Sequence, residues 1–245
     1  TIDTTLKTAL EAGFSISGTN VAAPGNVDWS YSVTDNFDFL AKDETITFTY
    51  TVTITDTNDA TATDTVTITI TGTNDVPTVA SNTEVSGAPI ESGNLDDGTI
   101  VSGTPSVNGT VRIDDVDDSS TITWSLQGSP STIYGSIIID SSSGEWTYTL
   151  DNSLTTTQAL DEGDSVTETY TARGTDDNGA YVDQTITITI IGTNDVPTVT
   201  NSNTQIIGSP VEAGNEDDGT VVDGTPSVSG TLSINAVSYT HLRAH

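Results

Sequence analysis

Cysteine and methionine are both absent from this chain of 245 residues, and bases are scarce, with 5 Lys and Arg against 35 Asp and Glu. Without cysteine there is no disulfide framework, no thiolate metal site and no cysteine nucleophile. The shortage of bases excludes nucleic acid as a partner, because phosphate binding requires a basic patch. Only two histidines occur, His241 and His245, both in the last five residues. A Ser-His-Asp triad therefore has no credible histidine, and a zinc site lacks its usual ligands. No run of about 18 apolar residues is present to span a membrane, and no signal-peptide pattern opens the chain. The missing initial methionine and the mid-strand start indicate a segment cut from a longer protein.

The formal net charge is −30 and the hydrophobic fraction only 33%. Such a chain repels itself unless cations neutralise it locally. Its length leaves room for about two domains of ordinary size. The sparse apolar residues are strongly patterned, which favours small-cored β domains over a disordered chain.

The pattern is a repeat. GTNDVPTV occurs at Gly72 to Val79 and again at Gly192 to Val199 (192 − 72 = 120). GTPSV at Gly103 to Val107 recurs at Gly224 to Val228 (224 − 103 = 121), and NLDDGT at Asn94 to Thr99 matches NEDDGT at Asn215 to Thr220. Upstream, Trp29-Ser30-Tyr31 pairs with Trp146-Thr147-Tyr148, and Leu40 with Leu160. The expected organisation is a partial repeat over 1–73 without its opening strands, a complete one over 74–193 and a second partial one over 194–236.

Within each repeat the apolar period is two, the mark of half-buried strands. TITFTYTVTIT at Thr45 to Thr55 places Ile46, Phe48, Tyr50, Val52 and Ile54 on one face and threonines on the other. Thr65 to Thr71 and Thr185 to Ile190 continue the alternation, and Asp56 to Asp59 and Asp176 to Gly179 read as hairpin turns. No stretch carries a helical apolar stripe. The predicted class is all-β: tandem Ig/cadherin-like β-sandwich repeats, one complete and two truncated, with Trp124 and Trp146 anchoring the middle core.

The remaining chemistry is that of carboxylates and amides. A paired-carboxylate glycosidase is the catalytic alternative, but the acids lie in turns and linkers. Those oxygens suit calcium, a hard cation taking about 6 to 8 oxygen ligands in irregular geometry. The candidate ligands are Asn74 and Asp75 at the first junction, Asp114, Asp115, Asp117 and Asp118 in IDDVDD, Glu162 and Asp164 in LDEGD, Asp176 and Asn178 in the hairpin, and Asn194 and Asp195 at the second junction. Asn-Asp and Asp-Asp-Gly also form turns without metal. The acidic junction, loop and hairpin turn are expected to meet at one end of a sandwich.

These motifs resemble the VCBS repeat, a cadherin-like module of large bacterial surface proteins. Its carriers are the GTLSI-type strand start at Gly109 to Ile113 and Gly230 to Ile234, GEWTYTLDN at Gly144 to Asn152, QALDEGDSVTETYT at Gln158 to Thr171, the DDNGA turn, and ITITGTNDVP at Ile68 to Pro77 with its counterpart ending at Pro197. The resemblance implies a β-sandwich at the cell surface or in the medium, type I secretion, and roles in adhesion or biofilm formation. TNDVP also resembles the cadherin linker in which Asn and Asp ligate calcium, mapping to Asn74, Asp75, Asn194 and Asp195. The first acid of that linker motif is here Gly72 and Gly192. The implied protein is a non-catalytic, calcium-stiffened spacer whose partners are its neighbouring repeats. The alternative is a module that itself grips a surface glycan or protein. Beyond Asn235 the pattern breaks into AVSYTHLRAH, and residues 237–245 resemble translated adapter sequence.

Overall fold

The computed structural model describes residues 4–17, 25–33, 37–95, 97–199, 208–225, 227–231 and 234–235, so both histidines and the 237–245 tail lie outside the described residues. The chain forms two compact units. Unit 1 comprises Thr1–Ser81, Ile113–Thr123 and Gly174–Val182; unit 2 comprises Asn82–Arg112, Trp124–Arg173 and Asp183–His245.

Unit 1 opens with a helix that the apolar pattern did not announce, α1 (Thr4–Ala12). Leu6, Ala9 and Leu10 share one side of it at i, i+3 and i+4, and Leu10 is buried. Nine residues are too few for that spacing to stand out as a stripe. β1 (Phe14–Ser17) pairs antiparallel with β2 (Asp28–Tyr31). β3 (Thr45–Thr55) and β4 (Thr61–Thr71) form the expected hairpin, in register from Thr45↔Thr71 to Thr55↔Thr61. Its turn is held by Asp56, whose Oδ1 accepts from the N–H of Asn58 at 2.8 Å and of Ala60 at 2.9 Å. Asp59 takes the left-handed conformation there, as Asp tolerates and most side chains do not. Phe14 stacks between Tyr50 and Trp29, and Tyr31 packs on Phe48. The inner face stays thin: Ile46, Phe48, Tyr50 and Val52 are only half-buried, and Ile54, expected among them, is exposed. The outer face presents six cross-strand threonine pairs. A short pairing of β5 (Thr78–Val79) with a later strand of the same unit completes unit 1.

Unit 2 holds a two-sheet sandwich built mostly from the middle part of the chain. Its short opening strands are β6 (Ser86–Gly87), β7 (Gly93–Asn94), β8 (Ile100–Val101) and β9 (Ser106–Thr110); β10 (Ile113–Asp114) is the strand that pairs with β5 in unit 1. Then follow β11 (Thr123–Leu126), β12 (Gly135–Ile139), β13 (Glu145–Leu150), β14 (Ser165–Thr175) and β15 (Tyr181–Ile191). One sheet runs β11-β14-β15-β6 and the other β12-β13-β9. Between them lie Trp146, Tyr148 and Leu150 of β13, Tyr170 and Ala172 of β14, Ile186, Ile188 and Ile190 of β15, and Trp124, all buried. Trp124 and Trp146 do anchor this core. Glu168 is buried here too, its carboxylate accepting from the hydroxyls of Tyr148 and Tyr170 at 2.8 Å each and from Ser131 at 2.7 Å. Burial, with that carboxylate alongside, holds both tyrosine hydroxyls well above their ordinary pKa.

The last part of unit 2 repeats the opening strands. β16 (Thr198–Val199) pairs with β19 (Ile234–Asn235) as β5 pairs with β10, and β17 (Gly214–Asn215) pairs with β18 (Val221–Val222) as β7 does with β8. Among the described residues the chain is thus all-β apart from α1, in sandwich architecture.

Candidate metal centre at the repeat junctions

The first junction lies within unit 1, together with the IDDVDD loop and the β14–β15 turn. Asp176 opens that turn as Asp56 opens the earlier one: its Oδ1 accepts from Asn178 N–H at 2.8 Å and Ala180 N–H at 2.9 Å. One oxygen is thereby spent on turn formation. The other accepts from Asn74 Nδ2 at 2.9 Å, which ties the junction to the hairpin. Asn74 also donates to the Asp75 carbonyl, and its own Oδ1 is buried with no hydrogen-bond partner.

Asp75 N–H donates to Asp117 Oδ2 at 3.0 Å. Asp117 is only 6% exposed, and its Oδ1 has no partner. Asp115 shapes the loop, accepting from Asp117 N–H at 3.2 Å and Ser120 Oγ at 2.6 Å. The Asp75 carboxyl is pushed above its ordinary pKa by desolvation first, then by Asp38, Asp117 and Asp115. Carboxylates from three separate segments therefore crowd one another. A partnerless carboxylate oxygen in such a place is costly.

The other candidates stand apart from this cluster. Asp114 and Asp118 are exposed, the latter engaged through its N–H to Phe39 O, and the Asn178 side chain is exposed. Glu162 is exposed in unit 2; Asp164 closes its own turn by accepting from Asp161 N–H, and its carbonyl accepts from Gly192 N–H. Among the described residues, no group of three or more carboxylates or histidines is already arranged to hold a metal ion.

The second junction lies in unit 2. Asn194 accepts through its carbonyl from Asn94 N–H at 2.6 Å. Asp195 has a buried Oδ2 with no partner, and burial raises its pKa. Beside it sits a residue absent from the sequence-derived candidates, Glu91, which is 0% exposed. Glu91 Oε1 accepts from Gln158 Nε2 at 3.0 Å and Oε2 from Thr193 N–H at 3.2 Å. Desolvation, with Asp195 adding to it, pushes Glu91 up to about 7 despite those two hydrogen bonds. The available signal was PIE at Pro89 to Glu91 returning as PVE at Pro210 to Glu212 (210 − 89 = 121).

The structure also explains the two glycines of GTND. A methyl group at Gly72 would lie 2.3 Å from Leu40 O, and one at Gly192 would lie 2.6 Å from Asp161 O. Leu40 and Leu160, equivalent in the repeat, are both buried against these glycines. No acidic side chain fits there.

No protein-family model matches the chain, and no curated protein matches it. Solved structures with a loose likeness include the protocadherin GammaB4 extracellular domain, at 16% identity and a TM-score of 0.42 over 82% of this chain and 31% of that one. Drosophila N-cadherin EC1-4 has 14% identity and a TM-score of 0.37 over 92% of this chain and 50% of that one. Mouse cadherin-23 EC22-24 has 16% identity and a TM-score of 0.35 over 75% and 53%. The chain spans between about a third and about half the length of these structures.

Proposed function

We propose that this chain is a non-catalytic structural and adhesive module of a secreted surface protein, of the VCBS type, in which calcium stiffens the junctions between repeats. The observation that carries the reading is the meeting of Asn74, Asp75, Asp117 and Asp176 from three segments, with the Oδ1 atoms of Asn74 and Asp117 buried and unsatisfied. Those two oxygens, with the carboxylates of Asp75 and Asp115, are the groups that would hold the ion at the first junction. Asp195 and Glu91 play that part at the second. Calcium would supply the positive charge that this acidic cluster lacks. The residues fit in donor type, all being hard oxygens. Trp124 and Trp146 are buried in the core, so neither presents a face on which a glycan could stack.

Thermal unfolding of the chain with calcium and with chelator tests the reading. An ion that binds only the folded state, at 100 times its dissociation constant, adds about 2.7 kcal/mol. Asp117→Asn should remove most of the gain from unit 1. An identical transition in calcium and in chelator would sink the metal assignment.

A further inference from the structure

Two hairpin turns of the chain share one build and differ at a residue that decides their chemistry. In Asp56–Ala60 and in Asp176–Ala180 the first aspartate holds the turn through Oδ1, which accepts from the N–H groups two and four residues on, at 2.8 Å and 2.9 Å in both. The fourth residue is left-handed in each, with φ +65° at Asp59 and +94° at Gly179. Its N–H reaches back to the first carbonyl, at 3.2 Å from Asp59 and 3.3 Å from Gly179. The third residue is asparagine in both, Asn58 and Asn178. Asn58 is thus followed by a side chain and Asn178 by none.

Asp177, Asn178 and Gly179 are exposed, and a Cβ built on Gly179 would meet nothing within 4 Å. Asn-Gly occurs once more, at Asn108-Gly109. There it lies inside β9, with Asn108↔Thr147 and Gly109↔Trp146 in register and Gly109 buried under the Trp146 ring. An asparagine amide is open to attack by the nitrogen of the next residue where the main chain can bend to close a five-membered ring. An extended strand holds that nitrogen away, whereas a turn brings it round. A following glycine also removes the side chain that would crowd it.

We infer that Asn178 is a site of spontaneous covalent modification, cyclising onto Gly179 and opening to aspartate and isoaspartate, and that the second product loosens the turn tied to the first junction. Gly179 N attacks Asn178 Cγ: the N–Cγ bond forms, the Cγ–Nδ2 bond breaks, and Nδ2 leaves as ammonia with the proton from Gly179 N. Water then opens the cyclic imide. Cleavage between N and Cγ gives aspartate. Cleavage between N and the main-chain carbonyl carbon of Asn178 gives isoaspartate, with one methylene added to the main chain. That methylene falls between the two N–H groups that Asp176 Oδ1 holds, so both bonds cannot persist unchanged. The other oxygen of Asp176 accepts from Asn74 Nδ2 at 2.9 Å, which couples the shape of the turn to the junction. The reaction needs no ion there.

Incubation of the full chain in mildly alkaline buffer, followed by peptide mapping in a mass spectrometer, tests this. Asn178 should gain one dalton several-fold faster than Asn58, and part of the product should accept a methyl group from an isoaspartyl methyltransferase. Asn108 should stay intact until urea unfolds the chain. Gly179→Asp, which rebuilds the other turn with a residue that Asp59 shows to be tolerated, should slow Asn178 to the rate of Asn58. Asp59→Gly should speed Asn58 to match. The isoaspartate form, isolated by chromatography, should unfold at lower urea than Asn178→Asp, which gains the charge without the methylene. Conversion of Asn178 no faster than Asn58, or of folded Asn108 as fast as Asn178, would overturn the modification site. An isoaspartate form as stable as Asn178→Asp would overturn the loosening of the turn.

Discussion

With chelator present, Glu91 should cost unit 2 about 3 kcal/mol as the pH rises from about 4.5 to about 7, and Glu91→Gln should abolish that cost. The buried carboxyl titrates near 7 in the folded chain, and at its ordinary value once unfolded. Between those limits the folded state holds the extra proton, so stability falls as pH rises; below them both states are protonated and the cost vanishes. Asp140, Asp151 and Asp183 of the same unit act in the opposite sense, being held below their ordinary values by hydrogen bonds from Ser142, Ser153 and Arg173. The quantity to measure is therefore the difference between wild type and Glu91→Gln in urea unfolding across pH. The glutamine keeps the bond from Thr193, and Gln158 can turn its own amide to suit. Parallel pH profiles for the two proteins would show that Glu91 is ionised at no cost.

Trp146→Ala should destabilise unit 2 by about 3 to 5 kcal/mol, the range for emptying a buried aromatic site. The indole fills the space over Gly87 and Gly109, and its Nε1–H donates to Glu84 O at 2.7 Å. That carbonyl would lose its partner as well. Trp146→Phe should fall between, restoring packing without the hydrogen bond. Trp29→Ala, at the equivalent position but half-exposed, should cost the isolated chain under about 1 kcal/mol. Denaturant unfolding followed by Trp124 fluorescence separates these cases. Equal losses for Trp146→Ala and Trp29→Ala would contradict the unequal burial.

The periodic elements were legible because strand periodicity and a repeat reinforce each other. The β3–β4 hairpin, the core role of Trp146, and the equivalence of Leu40 with Leu160 all followed from spacing. What spacing hid were residues whose role depends on partners distant in sequence. Glu91 reads as a surface acid until Thr193 and Gln158 close over it, about a hundred and about seventy residues further on. Asp38, which raises Asp75, lies outside every acidic motif. Helix α1 was hidden by brevity, and Ile54 followed the alternation past the point where anything covers it. Within IDDVDD, four acids looked alike, but only Asp117 is buried with an unsatisfied oxygen.

The β3–β4 ribbon has a colloidal consequence. β3 is eleven residues of alternating threonine and apolar side chains, with no charge, glycine or proline. Among the described residues its sheet has two strands and therefore two open edges. Sequences of that kind are templates for stacking into fibrils. What restrains them is the acidity of the rest of the molecule, which keeps ribbons of different molecules apart. Conditions that remove this repulsion, such as acid, concentrated salt or an excess of divalent ions, also remove the safeguard, and the soluble range of the protein is set by its charge as much as by its fold.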